Sequence, residues 1–276
     1  MQLRASYTIV NHIEQIVGAS SLCFSADGTH LYCGSSKAIR TFDVSRPGRE
    51  CSLLDVSDRR QNVLPLSSII STIAVSPDGG RLLAAGCYNR CAALYSTTDA
   101  SCVFTLANIH RGGITHVGFS PDGKLLCTGA RKDSCIHVWD IRKSSGPLFT
   151  LPRPVDTNQK ISFSMFTYGE DQCIISGTTE GRIVAYSLST GEPQDHLSAP
   201  SLSHNNDAVN GVSIHPFLPY IATATGQRAK FVFPSYSDDS SSDDESSSSD
   251  EAISQFSDTQ LRIFQFPSAS SSTPSS

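Results

Sequence analysis

Five times in this 276-residue chain an alternating strand pattern runs into a tight turn, and a small-residue apolar strand follows it. The turns are SADG at Ser25, SPDG at Ser76 and again at Ser120, then the degenerate TYGE at Thr167 and HPFLP at His215, spaced by 51, 44, 47 and 48 residues. The strands after them read LYCGS, LLAAG, LLCTG, CIISG and IATAT. A third strand in each copy then ends on an aromatic residue, at Phe42, Tyr95, Trp139, Tyr186 and Phe264. One repeat of this size cannot cover its own apolar faces, so the copies must stack on one another to make a core.

Periods of 40 to 45 residues with a His near the start and Trp-Asp near the end are the mark of WD40 propeller blades, each of four antiparallel strands. The sequence therefore predicts an all-β WD40 propeller with about five blades in this chain. One repeat keeps the full polar signature: His110, Thr128, Asp133 and Trp139 stand where such blades chain a His to an Asp, a hydroxyl and the indole N–H. A buried chain of this kind leaves no donor unsatisfied, which makes His110 structural. A catalytic reading of His110 and Asp133 with a nearby Ser has little weight, since both groups are committed and no strained nucleophile turn accompanies them. The stretch LRASYTIV, before the first full repeat, reads as the outer fourth strand of a blade whose first three strands are missing. The chain thus looks like a fragment of a ring, with raw strand edges at the cut.

Composition narrows the class further. No apolar run approaches the roughly 20 residues of a membrane span and the start lacks a signal-peptide core, so an intracellular soluble protein is expected. The nine cysteines include no C-x-x-C pair and mostly sit in strand patterns, as buried reduced thiols would; no metal and no cofactor is expected. The net charge of −5 conceals an asymmetry. Seven acids and no base lie between Ser237 and Ser254, and without them the remainder carries +2. That run falls inside the 78-residue gap between Tyr186 and Phe264, about 30 residues longer than its counterparts. The expected organisation is therefore blades over 1–233, a disordered acidic Ser-rich insertion over 234–258, the last strand over 259–266 and a disordered tail over 267–276. Ser240, Ser241, Ser242, Ser247 and Ser248 each have an acid three residues on, a pattern suited to an acidophilic kinase.

Cations recur in register with the repeat. The loops between second and third strands contain Lys37, Arg90, Arg131 with Lys132, Arg182, and Gln227 with Arg228. The blade-to-blade loops on the same face add Arg111 and then Asn158, Gln159 and Lys160, while Tyr88 and Asn89 precede Arg90. Lys and Arg interspersed with amides and an aromatic suit phosphates and unpaired bases. Ordinary solvated loop charge explains the same pattern equally well.

The stretches HRGGITH, GARKD with WDIR, TNQKI and NGVSIHPFLPYIATATGQR closely resemble the telomerase Cajal body protein family, over about Leu3 to Phe233 with LRIF beyond. That resemblance implies a seven-bladed ring, of which this chain would lack about two blades, and a non-enzymatic scaffold in the nucleus, at Cajal bodies, with some in the cytoplasm. It implies binding to small Cajal body RNAs of the H/ACA class and to telomerase RNA. The partners would be H/ACA ribonucleoprotein and telomerase components, Cajal body scaffold proteins and a cytosolic chaperonin for folding, with no membrane and no small-molecule substrate. RNA contact carries over to Arg90, Arg111, Arg131, Lys132, Asn158, Gln159, Lys160, Gln227 and Arg228. A WD40 hub binding only proteins is the alternative, and an enzyme ranks third.

Overall fold

The computed structural model describes residues 2–11, 13–56, 66–143, 146–199, 207–226 and 259–266. It holds five antiparallel sheets, each with its strands side by side in chain order. Blade 1 contains β1 (Ser21–Phe24), β2 (His30–Ser35), β3 (Ala38–Asp43) and β4 (Ser52–Asp55). Blade 2 contains β5 (Ile70–Val75), β6 (Leu82–Cys87), β7 (Ala92–Ser96) and β8 (Cys102–Leu106). Blade 3 contains β9 (Ile114–Phe119), β10 (Leu125–Ala130), β11 (Cys135–Asp140) and β12 (Phe149–Pro152). Blade 4 has three strands, β13 (Phe163–Tyr168), β14 (Asp171–Gly177) and β15 (Ile183–Ser187). Blade 5 has β16 (Val209–Ile214), β17 (Tyr220–Thr225) and, across the acidic stretch, β18 (Leu261–Gln265) paired to β17. No helix among the described residues is long and apolar enough to cross a membrane.

The repeated turn works through its side chains. Ser25 and Ser120 donate hydroxyl hydrogen bonds to Asp27 and Asp122, while Ser25, Ser76 and Ser120 accept the N–H of His30, Leu82 and Leu125 at the start of the next strand. Gly28 and Gly123 take φ of 72° in these turns, a conformation that costs an L residue energy. At the degenerate fifth copy His215 Nδ1 accepts the N–H groups of Phe217 and Leu218, so an imidazole replaces the carboxylate.

The core lies between blades. Leu83, Ala85 and Cys87 of β6 pack with Tyr32, Ile39 and Ile70 towards blade 1, while Ala84 joins Ile114, Val117 and Trp139 towards blade 3. Because a middle strand is covered on both faces, LLAAG is a continuous apolar run rather than an alternating one. Cys127, Val138, Ile174 and Tyr186 bridge blades 3 and 4, and Ile175, Ala185, Val212 and Ile221 bridge blades 4 and 5. The inner strands neighbour one another in the order β1, β5, β9, β13, β16. At the two ends of this arc apolar side chains stand uncovered, Leu22 and Phe24 on β1 and Leu261 and Ile263 on β18.

Three expectations need correction. Blades 4 and 5 do not reach four strands among the described residues; in blade 4 the chain after β15 makes only isolated bridges, Tyr186 with Pro193 and Ile183 with Ala199, around a 3-10 turn at Asp195–Leu197. Pro193 supplies no N–H for a ladder there. LRASYTIV forms no strand either: Tyr7 bridges to Gly48 and its hydroxyl donates to the Val44 carbonyl, which lays the segment against blade 1. The thiols are all reduced but not all buried, since Cys51 is exposed and Cys23, Cys102 and Cys135 are half-buried.

Candidate functional site

The polar chain in blade 3 is continuous. Trp139 Nε1–H donates to Thr128 Oγ1 at 3.0 Å, Thr128 Oγ1 bonds His110 Nε2 at 2.9 Å, and His110 Nδ1 bonds Asp133 Oδ2 at 2.9 Å. One set of protons satisfies every member: the indole gives to the hydroxyl, the hydroxyl to Nε2, and Nδ1–H to the carboxylate. Asp133 Oδ2 also accepts the Arg111 N–H at 2.8 Å, and Cys135 donates to Oδ1. Burial opposes ionisation of Asp133, but these hydrogen bonds outweigh it and hold the carboxyl far below its usual range. Thr128, His110 and Asp133 have the spacing of a nucleophile, base and acid, yet Thr128 is 0% exposed and already holds the indole proton. This polar chain therefore fixes loops in place, with Thr128 closed to solvent.

What it fixes is a face. At the end of the blades opposite the Ser-x-Asp-Gly turns, the hairpin loops of blades 1 to 4 bond to the blade-to-blade loops that precede or follow them. Lys37 N–H donates to Ser68, Tyr88 to Ile69, Arg131 to Gly113, Lys132 to Thr157 and Thr179 to Pro154, all onto backbone carbonyls. The glycines of HRGG permit the closest approaches. A Cβ on Gly112 would overlap the Arg131 carbonyl, and one on Gly113 would meet Tyr88. The result is a rim in which side chains from different blades meet.

Along this rim the Arg131 guanidinium lies 4.6 Å from the ring centroid of Tyr88, an arginine of blade 3 stacked on a tyrosine of blade 2. Arg111, Lys132, Arg90 and Lys37 are exposed on the same loops, with Asn158 exposed and Gln159 half-buried beside them. Among the described residues Lys37, Arg90, Arg111, Arg131 and Lys132 make no ion pair, whereas Arg182 sits 3.9 Å from Glu180. Asp156 is a further exposed acid on these loops, while Asp133 and Asp207 are buried. Lys37, Arg90 and Lys132 hold φ of 58°, 67° and 49°, where blade 4 uses Gly181 at 75°. Three long cations thus occupy positions where glycine would be about 1 kcal/mol or more easier to place.

Lys160 departs from the rim and lines a 150 Å³ cavity among the inner strands, with His116, Ser20 and Ser71. The narrow surroundings lower its pKa while the side chain stays accessible. His116 is driven down to about 3, first by burial and then by Lys160 and Arg153, and its Nδ1 accepts the Phe163 N–H at 3.1 Å. Gln227, Arg228 and the five serines Ser240, Ser241, Ser242, Ser247 and Ser248 lie outside the described residues.

The fold also assembles a cluster that linear spacing gave no sign of. Ligand atoms of His110, Cys135 and His137 come within 4.8 Å of one another, because Cys135 and His137 share a face of β11 beneath the His110 loop. Both His110 nitrogens are engaged, which leaves two donors and no complete set for a tetrahedral ion.

Comparison with known proteins agrees with this architecture. The WD domain, G-beta repeat pattern matches residues 4–43 and 100–140. Telomerase Cajal body protein 1 of Homo sapiens is 43% identical over 235 residues, covering 84% of this chain and 41% of the relative. The Drosophila melanogaster homologue is 33% identical, covering 82% and 39%. A chain in the crystal structure of a mitotic checkpoint complex superposes with a TM-score of 0.61 at 15% identity, over 78% of this chain and 62% of that one, and supports the fold alone. The chain spans about two-fifths of the length of the curated relatives it matches. Five stacked sheets, the His-Thr-Trp-Asp chain and these alignments together make it a WD40-repeat propeller protein homologous, over 84% of its length, to telomerase Cajal body protein 1.

Proposed function

We propose that the chain is a non-enzymatic scaffold that binds RNA on its cationic rim, and that its RNAs are small Cajal body RNAs of the H/ACA class and telomerase RNA. On this reading it acts in the nucleus at Cajal bodies, together with H/ACA ribonucleoprotein and telomerase components. The names of its relatives favour the setting. The observation that carries RNA is the Arg131–Tyr88 stack within a run of unpaired cations drawn from three consecutive blades. Stacked planes receive unpaired bases, and the flanking Lys37, Arg90, Arg111 and Lys132 supply phosphate contacts that give affinity without reading sequence. Asn158 and Gln159 offer amide donors and acceptors for base edges, and the Asp133 carboxylate, buried and bonded, adds little repulsion.

Fluorescence anisotropy with a labelled H/ACA-class loop RNA tests this. Each single-strand phosphate contact contributes about −0.7 to the slope of log K against log salt, so Arg90→Ala with Lys132→Ala lowers the slope magnitude by about 1.4. Arg131→Glu with Lys132→Glu weakens binding at least tenfold. Binding no stronger than that of a neutral propeller, or a slope that ignores these substitutions, would leave a hub that binds only proteins.

A further inference from the structure

The opposite end of blades 1 and 2 presents a surface of contrary charge. There the turns after β1 and β3 of blade 1 face those after β5 and β7 of blade 2 across a cavity of about 780 Å³. That volume falls within the roughly 300–1,000 Å³ usual for ligand sites. Its floor is apolar and aromatic, built by Tyr32 and Ile39 of blade 1 and Leu83 and Tyr95 of blade 2. Around the mouth stand Asp27, Asp43, Glu50 and Asp99, opposed by Arg46, which lies 3.7 Å from Asp43. Hydroxyl donors keep the aspartates ionised: Ser25 leads in lowering Asp27 to about 2, Ser45 lowers Asp43, and Ser96 with Ser101 lowers Asp99.

The floor adds an independent sign. Tyr32 is 9% exposed and Tyr95 5% exposed, both line the cavity, and among the described residues neither phenol hydroxyl has a hydrogen-bond partner. Both oxygens open onto the cavity and are not sealed in the core, so each offers an acceptor to whatever enters. An unmet hydroxyl acceptor on an aromatic wall, below a ring of carboxylates, is complementary to one common side chain. A guanidinium carries five donors in a plane, stacks on aromatic faces and pairs with carboxylates. An anionic strand such as RNA would meet four carboxylates there.

We propose that this inter-blade cleft receives an arginine from a basic peptide segment of a protein partner, so that the scaffold takes RNA at one end and a basic protein at the other. The guanidinium lies over Tyr32 and Tyr95, donates to the Tyr95 hydroxyl, and is neutralised by Asp43, Glu50 and Asp99. Occupancy involves no covalent step.

The test uses the full chain and two fluorescein-labelled nonapeptides of glycine and serine, one with two arginines and one with citrulline in their places. The arginine peptide is expected to bind at least tenfold more tightly than the citrulline peptide. Asp43→Lys with Asp99→Lys, both at the surface, lowers its affinity at least tenfold. Tyr95→Phe removes one oxygen while keeping the packed ring, and lowers it three- to fivefold. Trp139 fluorescence on the same samples verifies that each variant is folded. Equal binding of the two peptides, or an affinity unmoved by the double charge reversal in folded protein, overturns the proposal. So does absence of binding at millimolar peptide. Loss of RNA binding with peptide binding intact would count only against the preceding reading.

Discussion

Replacing Thr128 by valine isolates the hydrogen bonds that hold the loops of the cationic rim. The side chain is 0% exposed, and its Oγ1 is 3.0 Å from the Trp139 indole nitrogen and 2.9 Å from His110 Nε2. Valine fills the same space, so no cavity opens, but the indole N–H and the imidazole nitrogen both lose their partner. Each buried orphan costs about 1–3 kcal/mol, and the added methyl returns about 0.8 kcal/mol. The expected net loss is therefore about 1–5 kcal/mol. Thr128→Ser does the reverse, keeping the hydroxyl and removing a methyl, for about 1 kcal/mol. Trp139 is the chain's one tryptophan, so urea denaturation followed by its fluorescence reads the site itself. Because Asp133 also anchors the Arg111 N–H, the RNA-binding proposal further predicts weaker RNA binding for Thr128→Val although Thr128 reaches no solvent. If serine proved as costly as valine, methyl packing rather than hydrogen bonding would hold the blade.

Acid should destabilise the fold in steps. The folded pKa of His116 is near 3 and the ordinary histidine value is 6.5, so the unfolded chain takes up a proton that the folded chain refuses. Its contribution is complete above pH 6.5 and is lost as pH falls towards 3, at up to about 1.4 kcal/mol per pH unit; Asp133 adds a loss in the same direction as pH drops through the carboxylate range. His116→Asn, which keeps an acceptor for the Phe163 N–H, should flatten the upper part of that curve in urea titrations at pH 4.5 to 6.5. Gly112→Ala forces a Cβ into the Arg131 carbonyl, with an expected loss of about 1–3 kcal/mol in Tm or urea measurements and weaker RNA binding; an unchanged Tm would mean that the rim loops are not tightly apposed. Lys132→Gly relieves a φ of 49°, so stability should hold or rise by up to about 1 kcal/mol while RNA affinity falls. Loss of both together would assign Lys132 a structural role.

The opposed ends follow from antiparallel geometry. Every hairpin sends its second-to-third-strand loop to one end and its Ser-x-Asp-Gly turn to the other, so a charge placed at a fixed phase of the repeat accumulates on one end. Lys37, Arg90 and Lys132 do this at the rim, while Asp27, Asp78 and Asp122 of the Ser-x-Asp-Gly turns do it at the far end. Separation of sign is thus a property of phase, and each end can meet a partner of opposite charge.

Much of the fold was legible in the chain because its signals are local and recur. A serine that caps an aspartate, a glycine at positive φ and an aromatic next to last in the third strand each act within a few residues, and each recurs at blade spacing. The phase of Arg131 and Lys132 likewise followed from strand order. Tertiary packing decided what depends on neighbours distant in sequence. Tyr88 supports Arg131 only because Gly112 and Gly113 let two loops from different blades touch. Arg182 is paired with Glu180 and Lys160 turns inward beside His116, distinctions invisible in a list of loop cations. The cleft with its two unpartnered tyrosines exists only where two sheets diverge, and no periodicity in either sheet records it. Sequence sets what a residue can do within its own hairpin, whereas the angle and spacing between stacked sheets set which residues meet.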